Sequence, residues 1–433
     1  TADNEISGFE ASGSETADGE AADALQLDLT KGEVRSILLS AAAFRLRFWH
    51  ADALACDVEA LPLLADLPKE LLAGPALLVR DAVWTTALSA TATRLICSGR
   101  HDDPYAVLGR HALPPAKAGS PSAVPARQGV VVRTLQPGAE AVFLELPDAP
   151  HLEFEMTLVD PAGLFESWVP AAPDSWRFRV VDADGQSSVA IDPYAFADFT
   201  FDADDRLLFG EGNHYRIYEK LGAHPRTVGG VAGVTFAVWA PNAEGVGAVG
   251  PFNDWNGLAH QMKRHGSSGV WETFVPGAGE GDTYKFEVRA RSGHVFLKTD
   301  PFATCTEVPP ATASVVHDLD GIHRWRDQAW LDSRRGSRPW QEPIAIYEVH
   351  LGSWVRGAGG RRLSYSEVAR RLVPYVKGLG FTHIELLPIA EHPYEPSWGY
   401  QVSHFYAPTA RFGPPEELME FVDICHEGGV GVI

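Results

Sequence analysis

Through the middle of the chain, apolar residues come in short alternating runs, Val130–Val132, Phe236–Trp239 and Tyr284–Val288 among them, bounded by Gly, Pro, Asn or Asp. A period of two broken by turn residues predicts strands of β-sandwiches of roughly 100 residues each. The runs also recur in order. Asp103-Pro-Tyr-Ala-Val-Leu-Gly109 returns as Ile217-Tyr-Glu-Lys-Leu-Gly222, and Gly129-Val-Val-Val-Arg-Thr-Leu-Gln-Pro-Gly-Ala139 returns as Gly233-Val-Thr-Phe-Ala-Val-Trp-Ala-Pro-Asn-Ala243. Trp176-Arg-Phe178 with Asp192-Pro-Tyr194 returns as Tyr284-Lys-Phe286 with Asp300-Pro-Phe302. Ordered self-similarity means duplicated architecture, so two tandem immunoglobulin-like β-sandwiches are expected at 101–210 and 211–320.

Past an Arg-rich linker at 321–342 the pattern changes. Ile344-Ala-Ile-Tyr-Glu-Val349 is nearly continuous in apolar residues, which predicts a strand buried on both faces of a parallel sheet. A helix follows, opened by the capping box Ser364-Tyr-Ser-Glu367 with Leu363 and Val368 as its hydrophobic staple. Its apolar face runs Val368, Leu372, Tyr375, Val376, Leu379, and Pro374 predicts a kink. A strand His383–Leu387, a long loop, a helix begun by Pro415, and a strand Val430–Ile433 complete a β-α-β-α-β series at 343–433, the beginning of an α/β fold.

Residues 1–33 read as a solvated acidic tail: the first 30 hold eight acidic residues and no Lys or Arg. The Ala/Leu-rich extension at 34–100 keeps neither period and receives no role. The chain opens on Thr1 and stops on the apolar Val430–Ile433, and both ends read as incomplete. A formal charge of −21 over 433 residues repels phosphate backbones and anionic lipid, so no nucleic-acid or membrane partner is expected and a neutral substrate fits better. Four cysteines without metal-ligand spacing exclude a disulfide scaffold and a zinc ribbon. With no run long enough to span a membrane and no secretory signal, a cytoplasmic protein is expected.

Candidate chemistry gathers in the loop between Pro388 and Pro414, which leaves the carboxyl end of a parallel strand, where α/β folds build their sites. It carries His392-Pro-Tyr394, Trp398-Gly-Tyr400-Gln401 and Phe405-Tyr406. Aromatic planes there suit the C–H face of a sugar ring; the alternative is that Trp398 and Tyr406 only pin the loop. His350, His383, His392 and His404 have no HExxH or similar spacing, no Ser or Cys has a nucleophile context, and neither metal nor cofactor is expected. Glu348 and Glu385 sit mid-strand and read as structural, with Glu391 a further carboxylate. In the second sandwich, Phe252-Asn-Asp-Trp255-Asn-Gly257 is a turn that displays one Trp, with Lys263 and Trp271 close in sequence; either it binds sugar or Trp255 caps the core. The first copy has Leu144-Glu-Leu-Pro147 there instead.

These residues, together with Tyr347-Glu-Val-His-Leu-Gly-Ser-Trp354, Phe381-Thr-His-Ile-Glu-Leu-Leu-Pro388, Tyr406-Ala-Pro-Thr409 and Arg411-Phe-Gly413, resemble the bacterial 1,4-α-glucan (glycogen) branching enzymes of the α-amylase superfamily. The resemblance runs from about His101 to Ile433. It implies an amino-terminal sandwich, a carbohydrate-binding sandwich and the first part of a catalytic (β/α)8 TIM-type barrel, in an enzyme of glycogen biosynthesis that cleaves α-1,4 links and transfers the oligosaccharide to a 6-hydroxyl with retention. The resemblance places the catalytic carboxylates on later strands, beyond Ile433, so none is assigned here and the chain alone is expected to be inactive. It implies α-glucan contacts for Tyr400 and Trp255; Trp398, Gln401 and Lys263 are expected beside them. Gln401 after Trp-Gly-Tyr favours branching over debranching or trehalose-releasing relatives. A non-catalytic glucan-binding protein is the remaining alternative.

Overall fold

The computed structural model describes residues 88–112, 129–150, 152–169, 172–338 and 341–433, together with the backbone of the strands Phe9–Ala11, Leu25–Leu27, Ala53–Asp57 and Ala76–Arg80. Most of the acidic stretch 1–33 and most of 34–100 therefore lie outside the described residues. The chain is β-rich and divides into two compact units, one of Thr1–Leu88 with Arg110–Asp192 and one of Ser89–Gly109 with Pro193–Ile433.

In the first unit, Gly109–Ala112, Val130–Leu135, Leu164–Val169 and Thr157–Asp160 form a four-stranded sheet in that order. Ser187–Ile191, Arg177–Asp182, Ala139–Glu145 and Leu152–Glu155 form another, extended by parallel pairing with Ala76–Arg80 and Ala53–Asp57. Val132, Phe165 and Trp168 from one sheet share a core with Val142, Leu144, Phe154 and Phe178 from the other. The second unit repeats the plan. Gly222–Val228, Val231–Trp239, Val270–Pro276 and Lys263–Arg264 make one sheet, and Ala243–Val249, Thr283–Ala290, Ser314–Val315 and Cys305–Thr306 make the other, with Val295–Lys298 also paired to Thr283–Ala290; Phe236, Val238 and Trp271 pack on Ala248, Tyr284 and Phe286.

The duplicated blocks fall on topologically equivalent strands, and their partners match in register. Arg133 lies opposite Glu166 and Ala237 opposite Glu272, both glutamates fully buried. A buried carboxylate needs a partner. Glu166 takes Arg133 Nε at 2.9 Å; Glu272, with Ala237 opposite it on that strand instead of an arginine, takes His265 at 2.9 Å and the Thr200 N–H and hydroxyl at 2.6 and 2.8 Å.

A second equivalence explains the repeated Asp-Pro-aromatic motif. Trp176 Nε1 donates to Asp192 Oδ2 (2.9 Å) in one copy and the Tyr284 hydroxyl donates to Asp300 Oδ2 (2.6 Å) in the other. Burial pushes the Asp300 carboxyl up to about 6, against the pull of the Tyr284 hydroxyl and the Phe302 N–H. Between about pH 4 and 6 the folded chain keeps a proton that the unfolded chain has lost, so this residue's contribution to stability falls as pH rises through that window and is flat above it. Asp300→Asn should therefore gain on the wild type as pH rises from 4 to 6, read as the difference between their melting temperatures. A difference independent of pH would remove Asp300 as the titrating group.

The last ninety or so residues form a three-stranded parallel sheet. Its elements, taken with the helix that precedes the second copy, are α1 (Ala203–Glu211), β1 (Ile346–Val349), α2 (Tyr365–Gly378), β2 (His383–Leu386), β3 (Ala390–Glu391), β4 (His404–Pro408), α3 (Pro415–Glu427) and β5 (Gly431–Val432), with sheet order β1-β2-β5. Ser364 and Glu367 cap α2 reciprocally, the Ser364 hydroxyl accepting from Glu367 N (3.3 Å) and the Glu367 carboxylate from Ser364 N (2.9 Å). Leu363 and Val368 are both buried in the core that α2 and α3 make against β1 and β2. Pro374 lies within α2 without dividing it.

Two expectations are corrected. The strand at Ile344–Val349 is not buried on both faces: Tyr347 and Val349 face the helices, while Ile344, Ile346 and Glu348 are exposed. Alternation decides this, since successive side chains point to opposite faces and the helices cover only one. Nor is the loop after β2 without structure, because β3 and β4 pair antiparallel inside it. The stretch 321–342 carries a helix, Gln328–Gly336, and is tied to α3: Asp423 accepts from His323 (2.8 Å) and from Arg326 N, Asp327 pairs with His426 (2.8 Å), and Trp330 stacks on the His426 ring. Among the described residues no helix is long and apolar enough to cross a membrane.

Candidate functional site

The loop of Tyr400 is built around Glu391. Its buried carboxylate accepts from Arg411 Nη1 (2.6 Å), Ala410 N (2.8 Å), Thr306 Oγ1 (3.1 Å) and Thr409 Oγ1 (3.2 Å), joining β3, the turn after β4 and strand Cys305–Thr306 of the preceding sheet. Arg411 is as buried as its partner, so the pair is desolvated and mutually dependent. The reading of Glu391 as a possible reacting carboxylate thus meets a group fully engaged in structure.

Above this hub, Gly399 passes over Pro388. A side chain at 399 would place its Cβ 2.3 Å from the Pro388 carbonyl oxygen, and φ there is +86°, so only glycine fits. The crossing throws its neighbours outward: Trp398 adopts φ +55° and Tyr400 is 66% exposed, with Gln401 exposed beside it. Trp398 stacks on His350 (5.3 Å, 22°), whose own Nδ1 meets Ser353 Oγ at 2.9 Å. Burial, helped by the charges of His392 and Arg356, lowers the pKa of His350, which keeps it a neutral aromatic partner at neutral pH. Trp398 therefore pins the loop and presents a ring at once, whereas Tyr400 is a free platform. Glu395 is paired with Arg362.

At the other candidate, Asn253 organises the turn. Its Oδ1 accepts from Gly250 N (3.1 Å), and its Nδ2 reaches the Ala248 carbonyl (2.9 Å), the Asn256 carbonyl (3.1 Å) and His260 Nδ1 (2.9 Å). Burial pushes His260 down to about 4, so it is a neutral acceptor there. Asp254 and Trp255 take φ +51° and +59°, two successive left-handed residues that are not glycine. Each such residue costs about 1–2 kcal/mol, and such strain gathers at functional positions. The side chain so presented, Trp255, is 39% exposed, while Phe252 turns inward onto Phe236. Lys263, expected next to Trp255, is held by Asp103 (2.9 Å) and lies over the Phe199 ring (5.0 Å). Trp271 is wholly buried and donates to the Ala240 carbonyl.

Among the described residues one group has the spacing of metal ligands, His323, Glu420 and Asp423. The Arg326 guanidinium already pairs with both carboxylates, so a cation is in place.

Residues 220–303 match the model of carbohydrate-binding module 48, the isoamylase N-terminal domain, and residues 89–194 match that of the N-terminal domain of alpha-1,4-glucan branching enzyme GlgB. The 1,4-alpha-glucan branching enzyme GlgB of Gloeobacter violaceus is 52% identical over 336 residues, 77% of this chain and 44% of the relative. That of Synechocystis sp. is 45% identical over 372 residues, 81% and 47% respectively. The chain matches the amino-terminal portion of the GlgB branching enzymes. It spans about half the length of the curated relatives it matches. A pullulanase from Anoxybacillus sp. LM18-11 is similar in structure with a TM-score of 0.39 and 19% identity, over 71% of this chain and 46% of that one, a likeness too slight to argue from.

The GlgB N-terminal match begins at residue 89, ahead of the boundary read at 101. It takes in the helix Ala90–Cys97, capped by Ser89 and tied to the second copy where Gln261 Nε2 donates to the Ile96 carbonyl (3.0 Å). Trp255, Asn253 and Lys263 all fall within the carbohydrate-module match. Sequence reasoning missed Asn253 as the organiser of its turn and Arg411 as the partner of Glu391. For Asn253 the signal was available, since an Asn two residues before an exposed Trp is a natural turn former.

Proposed function

We propose that these 433 residues serve as the amino-terminal part of a 1,4-α-glucan branching enzyme, acting in the cytoplasm on glycogen or amylose. In this reading two immunoglobulin-like sandwiches, the second binding carbohydrate, precede the first β-α-β-α-β part of a (β/α)8 barrel. The equivalent strands of the two copies support the first part. The parallel order β1-β2-β5, with α2 and α3 packed on one face, supports the second.

The reaction proposed is a retaining double displacement. A carboxylate attacks the anomeric carbon of an α-1,4 link while a carboxylic acid gives its proton to the departing 4-oxygen; a glucan 6-hydroxyl, losing its proton to that second residue, then displaces the enzyme. Such chemistry needs two free carboxyl groups about 5–5.5 Å apart at the sugar. Glu391 and Glu395 are bound up with Arg411 and Arg362, and Glu348 and Glu385, neighbours in register, sit mid-strand below the loops. This chain's part is instead to bind and orient: Tyr400 as a platform for the reacting ring with Trp398 and Gln401 beside it, and Trp255 as a glucan anchor with Lys263 in support.

The observation that carries the proposal is the strained turn that holds Trp255 outward within a stretch matching a carbohydrate-binding module. Affinity electrophoresis through a glycogen gel checks it. The chain should be retarded, and Trp255→Ala should weaken the retardation about tenfold in apparent Kd, as loss of an aromatic anchor does. Equal mobility of the two would take Trp255 out of the site.

A further inference from the structure

The outer face of the sheet Gly222–Val228, Val231–Trp239, Val270–Pro276, Lys263–Arg264 carries a groove of about 1140 Å³. α1 supplies one wall with Arg206, Leu207 and Phe209; Trp239, Ser267 and Phe302 supply the others. At this size it exceeds the roughly 300–1,000 Å³ of sites for single small molecules, and so suits a length of polymer.

Trp239 is its main feature. The ring is 53% exposed, yet its plane is fixed: Nε1 donates to the Ser268 carbonyl (3.1 Å), and the Phe209 ring stands edge-on to it (6.0 Å, 80°). The turn that holds it is pinned in its own right, because the Ser268 hydroxyl donates to the His265 carbonyl (2.7 Å) and accepts from Val270 N (3.1 Å). An aromatic plate held rigid and wet, with a serine and a guanidinium at its side, is the chemistry of sugar recognition: the plate takes the C–H face and the polar groups take hydroxyls. In the repeated block the first copy has Leu135 where the second has Trp239, so the plate, like the Trp255 turn, belongs to the second copy alone.

We propose that this groove is a second α-glucan site, separate from the Trp255 turn, in which Trp239 is the stacking platform for a run of several glucose units. The proposal rests on the reading that this module binds α-glucan. Two observations choose that occupant: the carbohydrate-module match spans Trp239, Ser267 and Phe302, and a second copy of the chain would bring a like charge of −21. The groove also leads somewhere. Phe302, its far wall, stacks on Tyr406 of β4 (5.0 Å, 19°), in the segment that follows Tyr400. A glucan lying on Trp239 would thus be held next to the loop of the reacting ring, and two sites on one polymer raise the effective concentration of each for it.

Glycogen affinity electrophoresis of the whole chain, with Trp255→Ala, Trp239→Ala, the double variant and Leu207→Glu, tests this. Trp239→Ala should raise the apparent Kd about tenfold, and the double variant should be retarded less than either single variant. Leu207→Glu changes an exposed helix position, 60% accessible, and should weaken retardation without touching the core, which guards against a Trp239→Ala chain that fails to fold. If Trp255→Ala is weakened while Trp239→Ala and Leu207→Glu match the wild type and the double variant matches Trp255→Ala, the second site is overturned and the first stands. If only Trp239→Ala and Leu207→Glu are weakened, the groove stands and the Trp255 reading falls. A wild type that is not retarded overturns both, and a Trp239→Ala chain with full retardation but altered sedimentation makes the groove a contact between copies.

Discussion

Glu391→Ala should unfold the segment from β3 to the start of α3 and lower the stability of its unit by about 3–5 kcal/mol. Removing one partner of a desolvated pair leaves the other charge buried without compensation, and that, more than the lost attraction, sets the size of the effect. Here Arg411 would be stranded, together with the Ala410 N–H and the Thr306 and Thr409 hydroxyls that now donate to Glu391. Glu391→Gln keeps an acceptor in place and should fall between the two. The double variant Glu391→Leu/Arg411→Met, which removes both charges, should recover part of the loss. Melting followed by near-ultraviolet circular dichroism, with proteolysis of the 392–409 stretch as the local reading, checks the series. Parent-like melting of Glu391→Ala would mean that the hub is not what holds the loop.

In the full-length enzyme, Tyr400→Ala should lower turnover about a hundredfold, roughly 3 kcal/mol of barrier, with little change in glucan affinity. In the proposed enzyme many contacts, Trp255 among them, would hold a long polymer, but contacts that bind substrate and transition state alike do not speed the chemical step. On the proposed reading the exposed ring of Tyr400, set by Gly399 crossing Pro388 after β2, orients one sugar. Tyr400→Phe keeps that ring and should keep most of the rate. Turnover and KM on amylose separate the outcomes: a raised KM at constant turnover would make Tyr400 one more anchor, and no change would leave it a surface residue.

What the sequence disclosed, and what it hid, divides by the distance over which the physics acts. The Ser364–Glu367 cap and the strand character of Val130–Val132 and Phe236–Trp239 are settled within a few residues and were legible; that both faces of those strands are covered was not. The duplication was legible for a different reason: Asp192 and Asp300 each need an aromatic donor from their own copy, which keeps motif and spacing together. Glu391 was opaque because its partners come from 306 and from 409–411, and nothing local in Ala390-Glu-His392 reports them. The ion pair of Lys263 was equally hidden, because its partner Asp103 lies far away in sequence. Ile346 misled because an apolar run says nothing about which face has a cover.

The turn of Trp255 has a consequence for anyone who would improve this protein by selecting for heat resistance. Two successive residues there sit in a backbone region that glycine or asparagine would occupy at less expense, so the mutations most favoured by such a screen are the ones that erase the ring. With Trp255 as the proposed glucan anchor, thermal robustness and grip on the polymer would pull against each other at this spot. Variants gathered on melting temperature alone would then drift toward a sturdier chain with a weaker hold on glucan.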